Sequence, residues 1–281
     1  MRRALAPTLV CAVLLTAGCA AKEPASTASA PAATDARPSA PTPTASDPAG
    51  AAPATPAPVD GTREVRAAVA GLGTARTAFR WQVGAPDKST YALTGEGRHD
   101  FARKRGTLEV GLEDAARFEL VFTPKHLYMR GTTQKESVDW MSTERAGIKA
   151  QRILKAPGND PEYLVRQVAM GEKFERVGGE DVAGTPTTHY RGALPHRALT
   201  LNMTEEAREK TDQLRDMLDG TIPATAEAWI DDRGRLVRIR LGMRIDGTIA
   251  SETTLTFTEP GRPVEVDVPA HSVDMPSSTM I

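Results

Sequence analysis

"RLVRIRLGMRID", residues 235–246, alternates Val237, Ile239, Leu241, Met243 and Ile245 with Arg238, Arg240, Gly242 and Arg244. Successive side chains of a β-strand point to opposite faces, so the segment presents one apolar face and one charged face. That is the pattern of a half-buried antiparallel strand, in which a one-residue slip would turn the whole apolar set into water. The preceding "ATAEAWIDD", 224–232, pairs with it as a hairpin turning at Asp231-Asp232-Arg233-Gly234.

The same period of two recurs upstream. "FRWQV" (79–83), "STYALTGEG" (89–97), "RGTLEVGL" (105–112), "RFELVFT" (117–123) and "KHLYMRG" (125–131) read as successive strands separated by Gly, Pro, Asp and Lys. Leu108, Val110 and Leu112 share a face, as do Phe118, Leu120 and Phe122, and Leu127 with Met129. "KFERVGGEDV" (173–182), "TPTTHYRGAL" (185–194) and "SETTLTFTE" (251–259) add further strands, the last with Leu255 and Phe257 inward. Three segments carry a helical period instead. "REVRAAVAGLGTA" (63–75) spaces Val65, Ala68, Val69 and Leu72 by three and four. "DPEYLVRQVAMG" (160–171) places Pro161 in a first turn. "NMTEEAREKTDQLRDMLDG" (202–220) has Asn202 or Thr204 as cap, Ala207, Leu214, Met217 and Leu218 on one side, and Gly220 as stop. The expected architecture is α+β: a one-sided antiparallel sheet of about nine or ten strands, its apolar face covered by about three helices. A sheet this wide hides that face either by packing solidly on the helices or by curling around them and leaving a hollow. Periodicity does not choose between the two.

The first residues have another logic. Arg2 and Arg3 precede an apolar run from Leu9 to Ala17 and small residues before Cys19, the layout of an export signal. The run is too short to span a bilayer, which takes about twenty residues. "LTAGC", residues 15–19, resembles the bacterial lipobox, with Thr16 where leucine is commonest. That resemblance implies a leader over 1–18 and a lipidated Cys19, whose two or three acyl chains, at about 0.8 kcal/mol per buried methylene, would anchor the protein in the membrane. The chain has two cysteines, Cys11 and Cys19, so the body beyond the leader holds neither a disulfide nor a catalytic thiol. From residue 20 to about 61, Ala, Pro, Ser and Thr dominate and large apolar residues are almost absent, the composition of a solvated tether. The folded domain is expected over 62–281.

Composition excludes some functions. Loss of Arg2 and Arg3 with the leader takes the formal charge from −1 to about −3, and no basic, aromatic-rich stretch appears, so no nucleic-acid partner is expected. His99, His126, His189, His196 and His271 lack metal-ligand spacing, and there is no GxSxG elbow. "GLGTAR" (71–76) and "GEGRHD" (95–100) fail the dinucleotide pattern. Neither an enzyme nor a cofactor is expected.

In this setting the order of features resembles the actinobacterial LppX/LprAFG-type lipoproteins: lipobox, polar tether, "YALTGEGRHDF" (91–101), "FELVFTPKHLYMR" (118–130), "GGEDVAGTPTTHYRGAL" (178–194), a charged helix, then "AEAWIDDRGRLVRIRL" (226–241). The likeness covers roughly 62–260, with "DVAGTPTTHYRG" and "WIDDRGRLVRIR" its most specific parts. Such proteins are similar to the LolA and LolB carriers, strongly curved antiparallel half-barrels closed by helices. The resemblance implies an apolar cavity for the acyl chains of a lipid or glycolipid, used in transport or presentation across the cell envelope. It supplies no motif to carry across position by position. The cavity lining expected from alternation is therefore Leu108, Val110, Phe118, Leu120, Phe122, Leu127, Met129, Val237, Ile239, Leu241 and Met243. Arg238, Arg240 and Arg244 fall on the opposite, solvated face. The alternative is a solid-cored surface lipoprotein that docks an envelope protein or senses envelope state.

Overall fold

A computed structural model describes residues 61–84, 89–112 and 115–275. The leader, Cys19 and the tether up to residue 60 lie outside the described residues. No helix among the described residues is long and apolar enough to cross a membrane.

The elements in chain order are α1 (Gly61–Ala70), β1 (Thr74–Gly84), β2 (Thr90–Asp100), β3 (Arg105–Leu112), β4 (Ala116–Phe122), β5 (His126–Thr133), β6 (Ser137–Glu144), α2 (Pro161–Ala169), β7 (Glu172–Val182), β8 (Thr185–Ala193), α3 (His196–Leu199), α4 (Glu205–Met217), β9 (Ala224–Asp231), β10 (Leu236–Ile245), β11 (Thr248–Thr258) and β12 (Val273–Asp274). All strands join one sheet in the order β12-β6-β5-β4-β3-β2-β1-β11-β10-β9-β8-β7. Every pairing is antiparallel except that of the two-residue β12, which runs parallel to β6 and shields that edge. The sheet is therefore wider than the nine or ten strands expected, through β6 and β12. Helix α1 starts at Gly61, one residue inside the segment assigned to the tether.

The expected alternation carries through the register. Leu108 of β3, Leu120 of β4 and Met129 of β5 are successive cross-strand partners, and Met141 of β6 continues the row. Across the sheet, Ile239 faces Leu255 on one side and Ala228 on the other. The resulting α+β half-barrel has an apolar concave face and a charged convex one. On β2, Gly95 and Gly97 occupy inward positions between β1 and β3. A methyl at Gly97 would stand 1.9 Å from the Thr107 carbonyl oxygen, so only glycine lets the backbones approach this closely.

Two short helices, α1 and α2, cover the half of the concave face formed by β7 to β10. Asp160 caps α2 by accepting from the Glu162 amide at 3.0 Å. Arg66 of α1 reaches the carbonyls of Ala169 and Gly171 at the end of α2, and Glu64 accepts from the Tyr190 hydroxyl of β8. Helix α4 is capped by Thr204 through the Ala207 amide, as expected. It buries Ala207 and Thr211, but Met217 is 74% exposed, so its apolar side ends earlier than its sequence implies.

Candidate functional site

Nine of the eleven residues expected to line a cavity (Leu108, Val110, Leu120, Phe122, Leu127, Met129, Ile239, Leu241 and Met243) come together on the concave face in a single buried cluster, each between 0 and 7% exposed. Phe118 packs against the cluster half-buried, its ring against Gly131. Val237 is the correction. Between Leu236 and Arg238 the pairing with β9 shifts by one residue, so Leu236 points inward while Val237 joins Val182 and Trp229 in a separate cluster. A β-bulge inserts an unpaired residue and re-aims the side chains around it, and strict alternation cannot register that.

The half of the concave face left by the helices is covered by a strap, residues 145–160, that no sequence period announces. It begins and ends in 3-10 turns, Arg145–Gly147 and Pro157–Asn159, and between them has no strand or helix apart from a single bridge of Ala150 to Met203. Yet Ile148, Ala150, Leu154 and Ala156 are 0 to 4% exposed. At one end Gly158, at φ 59°, lies against Leu127 of β5, so closely that an added methyl would stand only 2.7 Å from the leucine side chain. At the other end Ser251 and Thr253 of β11, hydroxyls on an otherwise apolar face, donate to the carbonyls of Ile153 and Leu154 at 3.3 and 2.5 Å. Lys155 stands 5.0 Å over the inward Trp81 ring, and its burial, with Arg152 nearby, pushes the amine down to about 8. Both ends are clasped together: Arg145 Nε and Nη2 each meet a carboxylate oxygen of Asp160 at 2.7 Å, and Nη2 also meets Glu162 at 2.9 Å. The strap is thus an Ω-like loop folded inward on its own apolar side chains.

Polar atoms are enclosed at the same boundary. His99 points inward from β2, 3.4 Å from the Thr77 hydroxyl, and burial lowers its pKa to about 4, Asp160 opposing and Arg145 adding to the shift. His99 Nε2, Asn159 Oδ1 of the strap and Gln167 Oε1 of α2 are buried with no hydrogen-bond partner among the described residues. A buried polar atom left unpaired costs about 1–3 kcal/mol, so these three are places where a polar group or water would be welcome.

A cavity of about 1110 Å³ lies away from the apolar side. It follows the cross-strand row Phe79, Gly95, Val110, Phe118, Gly131 and Val138 and is walled by Glu96, Glu109, Glu119, Arg117 and Arg130. These charged residues occupy outward positions, whereas Phe79 and Val110 are 4 and 2% exposed; the cavity is a groove across the wet face. A smaller pocket of about 310 Å³ opens at one end of the sheet, between the Gly71-Leu72-Gly73 turn, Leu236, Val237 and Phe257.

The outward arginines are less uniformly solvated than expected. Glu227, 4% exposed, accepts from Arg240 at 2.5 Å and Arg191 at 3.1 Å, with His189 Nε2 at 2.9 Å. Burial would raise its pKa, but these partners, Arg240 foremost, hold it below the usual carboxylate value. His189 stacks on Trp229 with centroids 4.2 Å apart, and Arg238 and Arg240 lie over the same indole. Each member is satisfied by another, so this network stiffens β8 to β10 and leaves no open coordination.

Fold and site together define a half-barrel whose apolar wall is closed by two short helices and a strap. No family model matches the chain. An uncharacterised 31.2 kDa protein encoded between rplA and rplJ in Streptomyces griseus is 29% identical over 115 residues, 40% of this chain and 37% of that one. The chain thus matches little more than a third of the length of that relative. Among solved structures, the course of the chain is similar to lipoprotein LppX of Mycobacterium tuberculosis (14% identity, 73% of this chain and 97% of that one, TM-score 0.43). It is similar also to LprF of Mycobacterium bovis (12%, 76% and 99%, TM-score 0.46) and to a LolA-superfamily protein of Nitrosomonas europaea (7%, 74% and 96%, TM-score 0.31). The half-barrel assignment itself rests on the strand order and register of this chain.

Proposed function

We propose that this chain is a lipid-anchored extracytoplasmic protein whose concave face binds the acyl chains of a lipid or glycolipid, for transport or presentation across the cell envelope. In this reading residues 1–18 are the leader, Cys19 carries the anchor, and a tether running to residue 60 holds the domain away from the membrane. The observation that carries it is the cover. A largely apolar wall from Met129 to Met243 is roofed by two short helices and an irregular strap, where a second sheet or a full helical layer would make a permanent core. Aliphatic surface of this kind needs no charged clamp: each methylene removed from water contributes about 0.8 kcal/mol, so ten or more carbons suffice for useful affinity.

Native mass spectrometry of the gently purified chain is the test. Lipid adducts of discrete mass support the reading; a clean mass together with no uptake of a fluorescent fatty acid contradicts it. The near-complete burial of Leu108, Leu127 and Leu241 favours a second reading, a closed-core lipoprotein that docks an envelope protein, and that second result is the one it requires.

A further inference from the structure

The middle of the strap is thinly anchored. Apart from its own turn at Ile153–Leu154, the backbone of 151–155 is held, among the described residues, by the hydroxyls of Ser251 and Thr253. Its fixed points are outside that stretch: the Arg145–Asp160 clasp, the Ala150 pairing with Asn202 and Thr204, and the Asn202 side chain on the Ile148 carbonyl. Leu154 sits at φ 57°, a left-handed conformation that a branched apolar residue adopts only when its surroundings impose it. In the sheet order, β4, β3, β2 and β1 stand between Leu127 on β5, which Gly158 meets, and Thr253 on β11, which holds the Leu154 carbonyl. At about 4.8 Å per strand step that is on the order of 20 Å along the sheet, the scale of one extended hydrocarbon chain. The strap packs small or aliphatic side chains, Ile153, Leu154 and Ala156 among them, into the same apolar cluster. Segments with few backbone hydrogen bonds and no regular structure open at the low end of the local-stability range.

We propose that the seat of residues 151–156 is the acyl site itself and that this part of the strap is its resident occupant, exchanged for one hydrocarbon chain of the incoming amphiphile. The inference rests on the acyl-binding reading above. The exchange keeps the wall dry in both states, because aliphatic side chains leave as methylenes enter. The Arg145–Asp160 clasp stays shut and acts as the pivot, so the strap returns to its place when the lipid departs. Ser251 and Thr253 are the latch, and their hydroxyls become available to the ester or carboxyl oxygens of the ligand when the two carbonyls leave.

Thiol accessibility tests this. In the full chain carrying Cys11→Ser and Cys19→Ser, no thiol remains and no anchor of its own can fill the site. Ala156→Cys then reports on the strap and Ala226→Cys, 0% exposed on the β9 wall, on the sheet. With pyrene-labelled palmitate as ligand, maleimide labelling at 156 is expected to accelerate tenfold or more while 226 stays protected, and Thr253→Val is expected to take up the probe about fivefold faster by losing one latch hydrogen bond. Ser251→Ala serves the same purpose if Thr253→Val does not fold. Probe binding with unchanged or slower labelling at 156 overturns the strap inference and leaves the acyl reading standing; failure of every variant and of the parent to bind the probe overturns both.

Discussion

Asp160 joins Arg145 through two contacts of 2.7 Å and, with the same carboxylate, accepts the Glu162 amide that opens α2. One side chain therefore closes the strap and starts the helix beside it. The two side chains are 14 and 11% exposed, so removing either partner strands a charge with little water around it. Asp160→Ala is expected to cost about 2–4 kcal/mol, pair and cap together, read as a lower urea midpoint at unchanged m-value. Arg145→Lys should recover little of this, because an ammonium cannot make the forked pair.

His99 gives stability a pH dependence with a definite sign. Its folded pKa is depressed to about 4 from an ordinary 6.5, mainly by burial, so between those values the unfolded chain holds more protons. Its contribution is intact above pH 6.5 and is lost as pH falls toward 4, on the order of 3 kcal/mol in all. Urea titrations at pH 7 and pH 4.5, compared with His99→Phe, should show a steeper loss in the parent; parallel losses would mean that His99 is not the titrating group.

Close backbone approach at β2 and open space at β7 set opposite predictions for two glycines. Gly97→Ala places a methyl against the Thr107 backbone and should cost about 2 kcal/mol or more, whereas at Gly178 on β7 an added methyl meets nothing within 4 Å and should be neutral or slightly stabilising. Thermal unfolding of the pair separates close approach from open strand.

Val237 and Leu241 lie on the same strand, β10, yet belong to different interiors: Leu241 is 0% exposed in the concave cluster, and Val237 is 8% exposed beside Val182 and Trp229. Leu241→Ala should cost about 2–4 kcal/mol and alter uptake of a fluorescent fatty acid. Val237→Ala should cost about 1 kcal/mol and leave uptake unchanged. Equal effects on uptake would contradict the assignment of faces.

Most of the sheet was legible in the sequence because its strands alternate where one face is dry. Nine of the expected lining residues share that face for the same reason. Val237 escaped because a bulge between Leu236 and Arg238 resets the parity, and β6 escaped because "SVDWMSTE" buries Met141 and little else. The strap was invisible for a different cause. "IKAQRILKAPGND", residues 148–160, has no period of its own; its burial is imposed by the sheet, and its two latch residues, Ser251 and Thr253, look like ordinary polar positions beside Leu255.

Acyl binding and strap exchange alike require that hydrocarbon be received on the concave face. Photo-crosslinking the chain to a diazirine-bearing fatty acid, followed by peptide mapping, is the decisive measurement. Label is expected on the inward strands around Leu108, Leu120, Met129 and Leu241. Label confined to the outer groove between Glu109 and Arg117, or no label above that of a denatured control, would contradict acyl binding on that face.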